Sequence, residues 1–304
     1  MRSIAYAAIA LVAASAAASA QQVVGQKESV FALSERVAAG GSVNIYSSAG
    51  EITITEGTGG IVEYRGEKDT HRGRIEDIGF VVLRSSEGVT ICAVYDDEDT
   101  DCNEDGLRTE HRGRWSSNWR NRARVTVTVK VPRGVRLHTS SGNGDVSVAV
   151  AASQAHVSSG NGKVRVTSVA GRVEASSGNG EVTVENAGGP VRASSGNGDV
   201  YINTTNGPVN ASSGNGDIRV SMERLSGDDD MEFSSGNGRI ELTVPDDFSA
   251  EVEASSGNGK VVTDFPVTIR GRLSAQRLHG TIGKGGRRLR MTTGNGSMEI
   301  RKRA

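Results

Sequence analysis

Residues 140–144 read Ser140-Ser141-Gly142-Asn143-Gly144, and the same five letters begin again at 158, 176, 194, 212, 234 and 255, with a Thr-Thr-Gly-Asn-Gly variant at 292. The starts step by 18 residues four times, then by 22, 21 and 37. A short period held over this length marks stacked repeats, in which each unit buries its apolar face only against its neighbours. The 37-residue step is read as two coils with a degraded copy between them.

Working outward from the motif, one unit is SSGNGEVTVENAGGPVRA from 176 and SSGNGDVYINTTNGPVNA from 194. Each holds two short runs with a period of two, separated by Gly-containing turns, so each coil carries two strands. Alternate apolar positions in the first run are pairs such as Val164 and Val166, Val182 and Val184, Val200 and Ile202. In the second run they are pairs such as Val173 and Ala175, Val191 and Ala193. The residues between them are Asp, Lys, Arg, Ser, Thr or Glu, as expected when one strand face is buried and the other wet. Small inward residues and an aromatic content of 4% require a thin core between two facing sheets, with coils about 4.8 Å apart. Pro190 and Pro208 share one repeat position just before the second run, where a strand can lack a ladder donor. The Gly-Asn-Gly corner is read as supplying residues that tolerate positive φ, with the stacked Asn side chains bonding to one another.

Residues 1–20 combine Arg2, an Ala-rich apolar run from Ile4, and Ala18-Ser19-Ala20 before Gln21. This pattern is a secretory signal peptide. Residues 21–137 repeat less well, although Ser47 to Ile54 is a worn copy of the later unit. Alternating runs stand at Ser42 to Tyr46, Glu51 to Thr55, Phe80 to Leu83 and Arg124 to Val131. They are read as degenerate coils and a cap, required because an open coil end exposes unpaired strand edges. Residues 138–304 form the regular part. Two breaks in its period, Arg224 to Met231 and Pro245-Asp246-Asp247, are expected as loops on one side of the stack.

Cys92 and Cys102 are the only cysteines. An even count in an exported chain, ten residues apart around a polar loop, reads as a local disulfide; a metal-thiolate pair would need further Cys. Within that loop Asp101, Asn103 and Asp105, followed by Gly106, place oxygen donors at alternate positions as a calcium loop does. Its twelfth position, however, is Arg112 where a bidentate Glu is required. Calcium and a solvated acidic hairpin tip both stand as readings. The next segment is basic and carries the only tryptophans. Trp115 and Trp119 with Arg114 and Arg120 make a candidate binding patch, since flat rings and guanidinium groups suit sugars and anions. Pairing with the acidic loop is the alternative use of the same charges.

Other chemistry is excluded by what the letters lack. After Gly-Asn-Gly come Asp145, Lys163, Glu181, Asp199, Asp217, Arg239, Lys260 and Ser297, and Lys or Arg in that row rules out a stacked calcium ladder. The five histidines share no motif spacing, and neither a Gly-x-Ser-x-Gly elbow nor a His-Glu-x-x-His pair occurs. The repeated motif lacks the Lys of a phosphate loop and opens a strand. A formal net charge of −1 argues against nucleic acid as the main partner.

The repeats, the segment Ile91-Cys92-Ala93-Val94-Tyr95 with Cys102, and the Val127 to Val131 run entering Pro132-Arg133-Gly134-Val135 resemble the bacterial putative-adhesin family of β-strand repeat proteins, DUF4097. The resemblance covers most of the chain after residue 20. It implies an exported β-solenoid with an adhesive or envelope role and carries no catalytic residues; the acidic stretch between the cysteines departs from it. The expectation is therefore an all-β, single-domain parallel β-solenoid of about 18-residue coils. It would be exported to the periplasm or exterior, non-enzymatic and free of cofactors unless calcium binds. Its partner would be an envelope or extracellular glycan or protein, with self-association through coil ends as a further option and no transmembrane segment in the mature chain. A polysaccharide-active β-helix enzyme and a purely structural spacer are the alternatives.

Overall fold

The computed structural model describes residues 22–69, 74–95, 99–110, 124–204, 206–269 and 274–303. Two long sheets face each other, sheet A with fourteen strands and sheet B with twelve, and a two-stranded hairpin stands apart. Each regular coil gives one strand to each sheet. Arg172–Asn179 lies in sheet A and, after the corner, Val182–Glu185 lies in sheet B. Successive coils pair in parallel with equivalent residues opposite one another, as in Val173↔Val191, Ala175↔Ala193 and Val182↔Val200. The inward rows of Val, Ala and Ile are buried along the whole stack, and alternation in each strand leaves the other face outward. Among the described residues no helix is long and apolar enough to cross a membrane.

The corner explains the motif letter by letter. Its second Ser turns inward and its hydroxyl donates to a glycine carbonyl of the preceding coil: Ser159 to Gly144, Ser177 to Gly162 and Ser195 to Gly180, all at 2.7–2.8 Å. Asn side chains form an outward ladder in which each amide donates to the carbonyl oxygen of its neighbour. It runs through Asn143, Asn161, Asn179, Asn197, Asn215, Asn237, Asn295 and Asn258 at 2.7–2.8 Å. The glycines answer to crowding. A Cβ on Gly178 would lie 2.5 Å from the Gly160 carbonyl oxygen, and one on Gly180 would lie 2.1 Å from that of Gly162. The expectation of positive φ at these corners is corrected: among the corner glycines only Gly50 and Gly296 adopt it. Coils stacked one strand spacing apart leave no volume for a side chain there.

At both ends the order in space departs from the order in sequence. The reading of the 37-residue step as two coils with a copy between them is also corrected. Val267–Ile269 and Arg277–Ile282 form an antiparallel pair that lies against Ala250–Asn258. The chain then re-enters the stack. Arg288–Asn295 and Met298–Lys302 slot between the coil of Met231–Asn237 and Ile240–Val244 and that of Ala250–Asn258 and Val261–Thr263. At the other end Gly88–Tyr95 and Arg124–Val131 make a coil outside that of Ser42–Ala49 and Ile52–Glu56, which precedes it in sequence. Beyond it the antiparallel strands Ile61–Asp69 and Ile78–Arg84 close the stack, followed by Val30–Arg36 and Val23–Val24.

The N-terminal cap also fills the end of the thin core. Phe31 stacks on Phe80 with centroids 4.5 Å apart, and Tyr64 meets Phe80 edge-on. Lys68 is buried there, and its ammonium donates to the carbonyls of Gly25, Gln26 and Ile75 at 2.7–3.0 Å, so all three of its protons have partners. Phe248 and Phe265 play the filling role at the other end. Sheet B finishes on the three-residue strand Val261–Thr263 with Val262 exposed, an edge too short to template much pairing. The expected boundary at 137/138 falls within Arg136–Asn143, which pairs with Ser42–Ala49 on one side and Gln154–Asn161 on the other.

Two adjacent serines test the account of the corner. Ser177→Ala removes a buried hydroxyl and orphans part of a carbonyl's bonding, and is expected to cost about 1 kcal/mol in equilibrium urea unfolding. Ser176→Ala, on the outward side, should stay within about 0.5 kcal/mol. Gly180→Ala should cost about 3 kcal/mol or more because backbone must move. Equal effects at the two serines would contradict the assignment.

Candidate functional site

Because equivalent residues pair from coil to coil, every outward position becomes a row along the stack. On the outer face of sheet B, the row Thr183, Tyr201, Arg219, Glu241 runs beside the row Glu185, Asn203, Ser221, Thr243. Between them lies an open trough of about 270 Å³, also lined by Val184, Ile202 and Val220. Tyr201 and Arg219 are direct cross-strand partners. The Tyr201 hydroxyl donates to Asp199 Oδ2 and accepts from Arg219 Nη1, both at 2.8 Å. Arg219 Nη2 in turn donates to Asp217 Oδ2 at 2.8 Å, and the guanidinium carbon sits 5.4 Å from the centre of the Tyr201 ring. The other oxygens of these acids hold backbone: Asp199 Oδ1 accepts the Asp217 N–H and Asp217 Oδ1 accepts the Arg239 N–H. The Asp199 acceptor raises the Tyr201 phenol above its ordinary range, and burial adds to the shift.

The charges around the trough are matched. Glu185 pairs with Arg165 at 2.8 Å, Glu241 with Arg301 at 3.1 Å, and Arg219 with Asp217. Asn203, Ser221 and Thr243 present neutral hydrogen-bonding groups. Nothing in the letters of one repeat marks this site. Its signal was an aromatic and an arginine 18 residues apart at one coil position.

The two breaks in the period come together, as expected of insertions on one side of the stack. Glu223, Arg224, Leu225 and Asp228 line a cavity of about 440 Å³ with Pro245, Asp247, Phe248, Ser249, Gly285 and Arg287. Arg287 Nη2 donates to the Gly227 carbonyl at 2.6 Å, and the Arg288 N–H donates to Asp230 Oδ1 at 2.8 Å. These contacts brace the coil that is threaded back into the stack.

The cysteines form the disulfide Cys92–Cys102, with Cα atoms 6.2 Å apart. The bond pins the hairpin of Asp99–Asn103 and Gly106–Glu110 to the outer face of sheet A. Tyr46, Val81, Cys92, Val94 and Cys102 make a small second core there. At its tip Asn103 Oδ1 accepts the N–H groups of Asp105 and Gly106, each at 3.0 Å. Asp101 and Asp105 are exposed beside it. Among the described residues no group of three or more His, Cys, Asp or Glu side chains is placed to hold a metal ion. The tryptophan patch, Trp115 and Trp119 with Arg114 and Arg120, lies outside the described residues.

The family model described as Toastrack DUF4097 matches residues 98–301. Among solved structures, the chain is similar to a putative adhesin from Bacteroides fragilis, at 13% identity over 91% of this chain and 99% of that one, with a TM-score of 0.45. It is also similar to a putative cell adhesion protein from Clostridium sporogenes, at 9% identity over 90% of this chain and 100% of that one, with a TM-score of 0.28. No curated protein matches it.

Asp199→Asn is expected to bring the Tyr201 phenol back towards the ordinary value of about 10. A pH titration of ring-labelled tyrosine by NMR reads this directly; an unmoved midpoint would show that the hydroxyl is held elsewhere.

Proposed function

The chain belongs to the Toastrack DUF4097 family, and from that premise we propose that it is an exported, non-enzymatic binding element of the bacterial envelope that holds a glycan chain on the outer face of sheet B. The observation that carries this reading is the Tyr201–Arg219 trough. Its Tyr and Arg are locked by the Asp199 and Asp217 carboxylates, so little side-chain freedom is lost when a ligand arrives. With its charges internally paired, the trough favours a neutral, hydroxylated polymer. Asn203, Ser221 and Thr243 offer donors and acceptors for hydroxyls, and the edge of Tyr201 offers apolar contact. A phosphate polymer would need unpaired cations to displace its counterions. An open trough on a flat repeating face suits a long chain better than a small molecule. The signal-like residues 1–20 and the disulfide support export.

Purified chain incubated with isolated cell-wall sacculi and soluble envelope polysaccharides tests this. Retention without new reducing ends is expected, with Tyr201→Ala and Arg219→Ala each lowering retention about tenfold, as loss of roughly 1.4 kcal/mol would. Retention unchanged in both variants would move the partner to another surface. Release of sugar ends would overturn the non-enzymatic reading.

A further inference from the structure

One outward row of sheet A carries imidazoles. His138 and His156 are cross-strand partners in adjacent parallel strands, and their rings lie edge to face with centroids 4.5 Å apart. The hydrogen bonds around them define their tautomers. The Tyr46 hydroxyl lies 2.9 Å from the Glu104 carbonyl oxygen and 2.9 Å from His138 Nδ1. A carbonyl can only accept, so the single phenolic proton goes to Glu104 and His138 Nδ1–H must donate to the Tyr46 oxygen. His156 Nδ1 lies 3.1 Å from Glu174 Oε2, and a carboxylate likewise only accepts. When either ring is neutral, its proton therefore sits on Nδ1 and its lone pair on Nε2. This second-sphere pattern, Nδ1–H held by an oxygen, is the one that prepares histidine to ligate a metal through Nε2.

We propose that His138 and His156 form a two-histidine site for a borderline transition-metal cation, copper(II) or zinc, with water completing its coordination. Adjacent outward positions about 4.8 Å apart let two imidazoles reach one ion, and imidazole nitrogen selects these metals over calcium or magnesium. The surroundings agree. Both rings are half-buried on the outer face, within reach of solvent and of an arriving ion. Asp105, near enough to act on both Tyr46 and His138, adds negative potential from the hairpin tip. The Cys92–Cys102 bond thereby acquires a role: it fixes the hairpin whose Glu104 carbonyl orients Tyr46, which orients His138. Tyr46 and Glu174 are positioning residues. The site is independent of the glycan trough, which lies on the other sheet.

Copper(II) added to the purified full chain, free of any histidine tag, tests the assignment by electron paramagnetic resonance and by titration calorimetry. One ion per chain with two nitrogen ligands is expected. His138→Ala and His156→Ala should each remove one nitrogen and weaken binding at least about tenfold, and Tyr46→Phe should weaken it about tenfold while leaving both nitrogens available. Thermal melts of the metal-free variants separate lost binding from lost folding. A copper signal without nitrogen coupling, or one unchanged in the His138→Ala/His156→Ala double variant, would overturn the proposal.

Discussion

The structure depends on one close approach: at each corner the backbone of a coil rests on the backbone of the coil before it. A Cβ at either corner glycine would stand within about 2.5 Å of a carbonyl oxygen, well inside any ordinary contact. Because the backbones meet there, the buried serine hydroxyl can reach across to a carbonyl and the exposed asparagine amides can join in a ladder. These two bonds per coil set the register. Once corners align, apolar residues stack on apolar residues through the core and outward residues line up in rows. The flat faces follow from the corner, and so do the rows on which the trough and the histidine pair are built.

Repetition of this kind leaves one thing undetermined, which is the order of the coils. Every corner is compatible with every other, so the pairing rules that put Ser176 beside Ser194 would serve equally well between distant copies. The connecting segments decide. Phe265, Leu278 and Ile282 bury an antiparallel cap against the coil of residues 250–263, and the chain beyond it can then only return inside that coil. At the other end the aromatic group of Phe31, Tyr64 and Phe80 closes the core, and the strands carrying it are antiparallel as well. Antiparallel strands thus cover both sheets at the N-terminal end and sheet A at the other, where sheet B finishes on the three-residue strand Val261–Thr263.

The 18-residue period, the two strands per coil, the inward Val and Ala rows, the asparagine ladder and the pairing of Cys92 with Cys102 were all legible in the letters, because each rests on local spacing. The threading of residues 288–302 into the stack was not, since the motif at 292 reads the same whichever neighbours it has. Nor was the positive-φ reading of the corner correct: glycine there answers to a contact 18 to 94 residues away in sequence, which composition does not reveal. Tyr201 and Arg219 were visible as letters, yet their partnership emerges only when coils are laid side by side. Tyr46, His138 and His156 are further still from being read, for their hydrogen bonds join an early coil, the regular stack and the tip of the disulfide hairpin.

If the corner is the determinant, its backbone amides should be among the best protected in the molecule despite lying at a bend on the surface. The N–H groups of Gly144, Gly198, Gly216 and Gly238 donate to the Asn161, Asn215, Asn237 and Asn295 carbonyls of the next coil at 2.9–3.0 Å. Native-state hydrogen exchange measures them individually. The account predicts that these glycine amides exchange as slowly as those of the buried strand residues Val182 and Val200, opening only with the stack as a whole. Exchange at the rate of exposed loops would contradict it, and would place the origin of the stacking in the apolar rows alone.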